Sequence, residues 1–245
     1  MVIIMEHILK EEFLNKYRNA DSPLSNIGEF VYLRTYARYL VDKKRRENWL
    51  ETVLRTTEYN IGLGVNYKKN LGLPIDWEKE TKEAEMFFDH LFHLRTFPSG
   101  RTLYMGGTEV VKDYPLSNYN CSFTDIKNLK DLVDVFYLLM VGSGVGVRIS
   151  KKHIKDIPKV RHVKIESVFR SEIRAVIPKE VMEYTKLSQD QKDPSTVTIM
   201  VGDSKEGWCE ALDTYFKLVT TKEYQHTDKI IIDYSYVRPE GERLK

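Results

Sequence analysis

The chain has 245 residues, 42% hydrophobic and 30% charged, with 38 Lys and Arg against 36 Asp and Glu for a formal charge of +2. This length accommodates one ordinary core or two smaller ones, and 13 Gly with 8 Pro is too few for a collagenous or Pro/Gly-rich disordered chain. The near-balance of charge gives no global reason to expect nucleic acid or an anionic membrane as partner.

Two cysteines, Cys121 and Cys209, make neither a disulfide framework nor a C-x-x-C metal site. The longest apolar stretch, Val135 to Val147, is about 13 residues, short of the ~20 that span a bilayer. The N-terminus, MVIIMEHILKEE, lacks the basic lead and cleavage site of a signal peptide. The expectation is a soluble, cytoplasmic protein with no membrane and no direct nucleic-acid partner.

The first 96 residues read as helical. Glu29 to Glu47 carries Phe30, Leu33, Tyr36, Ala37 and Leu40 at helical spacing, and Trp49 to Tyr59 continues in that style. A break is expected at Gly62, Gly64 and Pro74. Asp76 then precedes Glu78 to Leu94, with Ala84, Phe87, Phe88, Leu91 and Phe92 on one stripe. These helices read as packing elements.

At Phe97 the texture changes. From there to Phe123 the glycines and prolines predict loops and short strands. Asn128 is the expected N-cap of a helix with Asp131 in its first turn and Leu129, Leu132, Val133, Phe136 and Leu139 on one face. It ends in Gly142-Ser143-Gly144-Val145-Gly146-Val147, a glycine-rich turn entering a strand. Val160–Phe169, Thr196–Val201 and Lys229–Ser235 read as strands, and Leu187–Ser195 as loop. Asp203 and Glu206 have capping-box spacing before a helix through Trp208, Ala211, Leu212 and Tyr215. Strands alternating with helices after residue 96 argue for α/β architecture.

Cys121 is the sharpest chemical candidate. It precedes an amphipathic helix, whose dipole favours a thiolate suited to redox or nucleophilic work; the alternative is a small buried hydrophobe. Cys209, beside Trp208 inside a helix, reads as packing. The G-S-G-V-G-V run either cradles phosphate through backbone amides or makes a tight turn. It is neither a Walker motif nor a dinucleotide fingerprint. His90 and His93 lack a third ligand and read as a surface pair, so no metal site is expected. Lys151 to Lys155 reads as a solvated basic face.

Taken in order, FPSGRTLYMGGTE, NYNCSF, LLMVGSGVGVRIS, VGDSKEGWCEAL and IIIDYSYVRPEGERLK resemble the adenosylcobalamin-dependent (class II) ribonucleotide reductases, notably the monomeric ribonucleoside-triphosphate type. The resemblance runs over roughly residues 90 to 245. It implies a helical N-terminal region (1–96) followed by the first, incomplete part of a ten-stranded α/β barrel (97–245). It further implies ribonucleotide reduction by a thiyl radical that adenosylcobalamin initiates, with two further cysteines becoming a disulfide that a thioredoxin-like dithiol reduces.

On this resemblance Cys121 matches the first cysteine of the reducing pair. Asn120, Ser99 and Gly100, and Ser143 and Gly144 match substrate-contacting positions. Asp203 and Glu206 fall near a region that sets base specificity, though capping explains them better. The implied partners are a ribonucleoside triphosphate, a dNTP effector, the dithiol reductant and a C-terminal reductase segment. A relative from class I, with a separate radical subunit, is the lesser match.

The departures bear on that last partner. The family's N-x-C-x-E constellation is absent, since Phe123 and Ala211 stand two residues after the cysteines, and no second reducing cysteine follows residue 209. The sequence covers about the first third of a family member, and at Arg243-Leu244-Lys245 such members continue into a threonine- and glycine-rich segment. The expectation is the N-terminal piece of a split reductase, with the adenosylcobalamin site largely elsewhere. A non-catalytic orphan fragment that only binds nucleotide or a complementing segment is the alternative. An incomplete barrel leaves unpaired sheet edges, so alone it should aggregate or need its complement.

Overall fold

The computed structural model describes residues 7–169 and 181–238. The chain divides into two compact units, residues 1–119 and 120–245.

In the first unit α1 (Glu11–Leu14) and α2 (Asn26–Thr35) lead to a small antiparallel hairpin of β1 (Tyr39–Leu40) and β2 (Arg45–Arg46), followed by α3 (Trp49–Asn70) and α4 (Trp77–Phe92). Three short elements close it: α5 (Gly100–Met105), α6 (Glu109–Asp113) and a 3-10 turn (Pro115–Asn118). The expected stripe on α4 is the core: Ala84, Phe88 and Leu91 are fully buried. Phe88 meets Phe13 and Tyr17 edge-on, with ring centroids 5.5 and 4.9 Å apart. Asp76 caps α4, its carboxylate accepting from the Lys79 amide at 3.1 Å.

Two helical expectations fail here. The helix over 29–47 stops at Thr35, because the chain turns back at Lys44 (φ +51) to pair the hairpin. Its presumed apolar face is split: Phe30 is 62% exposed while Ala37 is buried. The helix from Trp49 runs through Gly62 and Gly64 to Asn70, so the expected break comes only at Pro74, between α3 and α4. The start of α3 is secured by a capping box between Asn48 and Glu51.

A buried ion pair ties the hairpin to α3. The Arg55 guanidinium donates to both oxygens of Glu47 at 2.7 and 2.8 Å and to the carbonyls of Gly106 and Leu103. Burial alone would push the Glu47 carboxyl up. Hydrogen bonds from Arg55 and Thr52 more than offset this, and it lies below its ordinary value.

The second unit contains β3 (Cys121–Ile126), α7 (Leu129–Met140), β4 (Gly144–Ile149), α8 (Lys151–Ile154), β5 (Lys164–Val168), β6 (Lys186–Gln189), β7 (Thr196–Met200), α9 (Lys205–Thr220) and β8 (Lys229–Asp233). β3, α7 and β4 form one βαβ unit with parallel strands. A second sheet has the order β5-β8-β7-β6, parallel except for the antiparallel edge strand β6. Leu218 and Val219 of α9 pack with Val197, Ile199 and Ile230 in its core.

The α/β expectation holds for this unit, and the three expected strands are β5, β7 and β8. Residues 97–120, however, form short helices rather than short strands, and β6 occupies the start of the expected 187–195 loop. The cap of α9 also differs. Ser204, not Asp203, accepts from the Gly207 amide (2.9 Å), while Asp203 receives the Arg238 guanidinium at 2.6 Å. The final stretch of the motif ending at Lys245, residues 239–245, lies outside the described residues.

Candidate functional site

Four of the six candidate residues come together at the start of the β3–β4 pair. Cys121 opens β3 with Asn120 just before it, and Gly144 opens β4 with Ser143 just before it. The parallel register sets Cys121 opposite Gly144, and the Gly144 amide donates to the Asn120 carbonyl at 2.9 Å.

The glycine-rich run resolves into separate local needs. Gly142, at φ +84, ends α7. Its amide donates to Leu139 and that of Ser143 to Leu138, at 2.9 Å each, the paired bonds of a Schellman cap, which favour glycine at this left-handed position. Gly144 and Gly146 are already strand, so only residues 142–143 remain of the expected phosphate-cradling turn. Ser143 is buried, its hydroxyl 3.3 Å from that of Ser122.

Cys121 is exposed and Cys209 half-buried. The helix-dipole argument for Cys121 does not survive. The amide end of α7, capped by Asn128, follows the far end of β3, about 17 Å along the strand. It is the carbonyl end of α7 that leads into Ser143 and Gly144 beside Cys121. The Cys209 thiol donates to the Val133 carbonyl of α7 at 3.8 Å, and burial pushes its pKa up, in keeping with a packing role.

Ser99 and Gly100 belong to the first unit. Ser99 caps α5, accepting from the Thr102 amide at 3.2 Å, and its hydroxyl lies 2.9 Å from that of Thr102. Gly100 is exposed, facing the Tyr36 ring.

Sequence reading missed a charged cluster further along β3. Asp125 stands opposite Arg148 in register and receives its guanidinium at 2.6 Å, with His153 Nδ1 3.3 Å from the other carboxylate oxygen. Hydrogen bonding from Arg148 holds the Asp125 carboxyl down at about 2. The signal was available: alternation from Cys121 places Phe123 and Asp125 on its face. The Lys151–Lys155 run, read as solvated, contains the histidine that closes the cluster. Among the described residues, no group of three or more His, Cys, Asp or Glu side chains could hold a metal ion, and no helix is long and apolar enough to cross a membrane.

Residues 9–108 match the family model of the ribonucleotide reductase alpha domain. The adenosylcobalamin-dependent ribonucleoside-triphosphate reductase of Lactobacillus gasseri is 30% identical over 96% of this chain and 35% of its own length. The protein of the same name from Euglena gracilis is 28% identical over 97% of this chain and 29% of its own. A crystal structure of a B12-dependent (class II) ribonucleotide reductase superposes with a TM-score of 0.76 at 27% identity, covering 98% of this chain and 36% of that one. The chain thus spans about a third of the length of the relatives it matches. In sequence and in fold, it resembles the adenosylcobalamin-dependent, class II ribonucleotide reductases.

Proposed function

We propose that this chain is the N-terminal segment of an adenosylcobalamin-dependent ribonucleoside-triphosphate reductase, acting in the cytoplasm, with residues 97–245 forming the first part of a ten-stranded barrel. The observation that carries this reading is the structural likeness over 98% of the chain, combined with an exposed Cys121 at a strand start beside Gly144.

In this reading Cys121 is one of two reducing thiols. The net step breaks the ribose 2′ C–O bond, releases the oxygen as water, forms a C–H bond and joins two thiols as a disulfide. The two electrons come from the sulfurs, and a thioredoxin-like dithiol restores them by exchange. Asn120, Ser99, Gly100, Ser143 and Gly144 contact substrate, and a dNTP acts as effector. The second thiol and the radical-bearing cysteine come from a C-terminal reductase segment. Exposed Val147 and Ile149 on the two-stranded sheet suit such a complement.

No described residue fits the cobalamin. The corrin ring itself ligates the cobalt, so the test is room rather than a ligand cluster, and the cavity of about 410 Å³ at Tyr32, Arg45, Arg46 and Trp49 is walled by side chains already paired within the chain, such as Arg45 with Glu51. The cofactor is assigned to the complementing segment.

The test is to purify from its native source the species that carries these residues and to assay CTP and ATP reduction with adenosylcobalamin and a dithiol. Deoxyribonucleotide formation that disappears in Cys121→Ser supports the proposal. A species that reduces no nucleotide, with or without a co-purifying chain, leaves the non-catalytic fragment as the reading.

A further inference from the structure

Successive residues of a strand point to opposite sides, so Cys121, Phe123 and Asp125 share one face of β3. Phe123 is 67% exposed. Its partner in register is Gly146, and a Cβ at that glycine would meet Phe123 Cδ2 at 3.3 Å. The ring therefore lies close over the glycine backbone. Gly144, opposite Cys121, likewise brings no side chain, and a Cβ there would meet only the Asn120 carbonyl, at 3.6 Å. The face is a shelf with a thiol at one end, an aromatic ring in the middle and the Asp125–Arg148 pair beyond it, while β4 leaves the first two uncrowded.

We infer that Phe123 is a further substrate-contacting residue, on which the nucleobase stacks while the ribose lies at Cys121. This deepens the proposed function and rests on its reading of Cys121. Residues two apart on a strand are ~6.6 Å apart, a spacing that suits a sugar at the thiol and its attached base at the ring. Every base has a π face, so stacking holds the nucleotide without selecting among bases. The glycine at 146 is what lets the ring lie down; a side chain there would lift it.

The test uses the native species that carries these residues together with its complementing segment and follows alkylation of Cys121 by iodoacetamide, read by peptide mass spectrometry, with Cys209 as internal reference. The protecting probes are CTP, ATP and the base-less ribose 5-triphosphate. Phe123→Ala is expected to raise the CTP concentration needed for half-protection on the order of 10-fold and to leave ribose 5-triphosphate unchanged, while Phe123→Tyr restores CTP protection. Circular dichroism melting checks that both variants fold. Equal weakening of all probes in Phe123→Ala, no weakening of any, or a Tyr variant that behaves like Ala overturns the inference. If ribose 5-triphosphate protects the unaltered chain as well as CTP does, the stacking role alone fails. If no probe protects it, the reading of Cys121 fails and takes this one with it.

Discussion

The amide of Gly144 donates a 2.9 Å hydrogen bond to the carbonyl of Asn120, which joins the starts of two parallel strands and leaves Cys121 beside a residue without a side chain. Because a Cβ at Gly144 meets only ordinary contact, Gly144→Ala should keep the fold and alter Cys121 alkylation little. Gly144→Val should slow it several-fold by crowding the thiol. Mass-spectrometric alkylation kinetics distinguish the two; equal rates in both variants would mean the thiol is approached from elsewhere.

The Glu47–Arg55 pair is buried, with Glu47 3% exposed and Arg55 also holding two carbonyls of the α5 segment. Arg55→Met should cost about 3–5 kcal/mol, since it strands a buried carboxylate. Replacing both partners with apolar residues should cost less than that single change. Urea unfolding measures each.

Ser204 and Asp203 make separable contributions at the start of α9. Ser204→Ala removes the cap and should cost about 1 kcal/mol. In Asp203→Asn the helix start should keep its amide protection, because the lost partner is Arg238 rather than the Gly207 amide. Hydrogen exchange at Gly207 reads the difference.

Asp125 carries a pH dependence. Its pKa is lowered from 3.8 to about 2, so the folded state binds this proton less readily than the unfolded chain. The stabilisation is present in full above pH ~4 and is lost as pH falls through about 2. An NMR titration of the Asp125 carboxyl should give a midpoint near 2 in the unaltered chain. In Arg148→Ala the midpoint should move up toward the ordinary value; a midpoint unmoved by that change would assign the shift to another group.

Much of the second unit was legible in the sequence because its signals are local. Runs such as Lys229–Asp233 are β-branched and bounded, and Asn128 with Asp131 spells its own cap. The hairpin at 39–46 was not legible: Leu40 continues a helical spacing by chance, and the deciding contacts come from α3, through Arg55 and Thr52 on Glu47. Gly62 and Gly64 failed as breakers because a 22-residue helix packed on α4 outweighs about 1 kcal/mol per glycine. At the site, residue order alone placed Cys121 and Gly144. It could not show that Ser143 is buried, nor that Arg148 and His153 reach Asp125, since these depend on strand register.

The strand order β5-β8-β7-β6 carries a consequence for how the chain is made. Among the described residues β5 (Lys164–Val168) has one neighbour in its sheet, β8 (Lys229–Asp233), which is synthesised long after it. Until those late residues leave the ribosome, β5 lacks its described partner strand, whereas β6 and β7 can already form their antiparallel pair. A nascent chain arrested before Lys229 should therefore protect the β6–β7 amides and leave those of β5 open to exchange, so that the sheet is completed from its middle by the strand that arrives last.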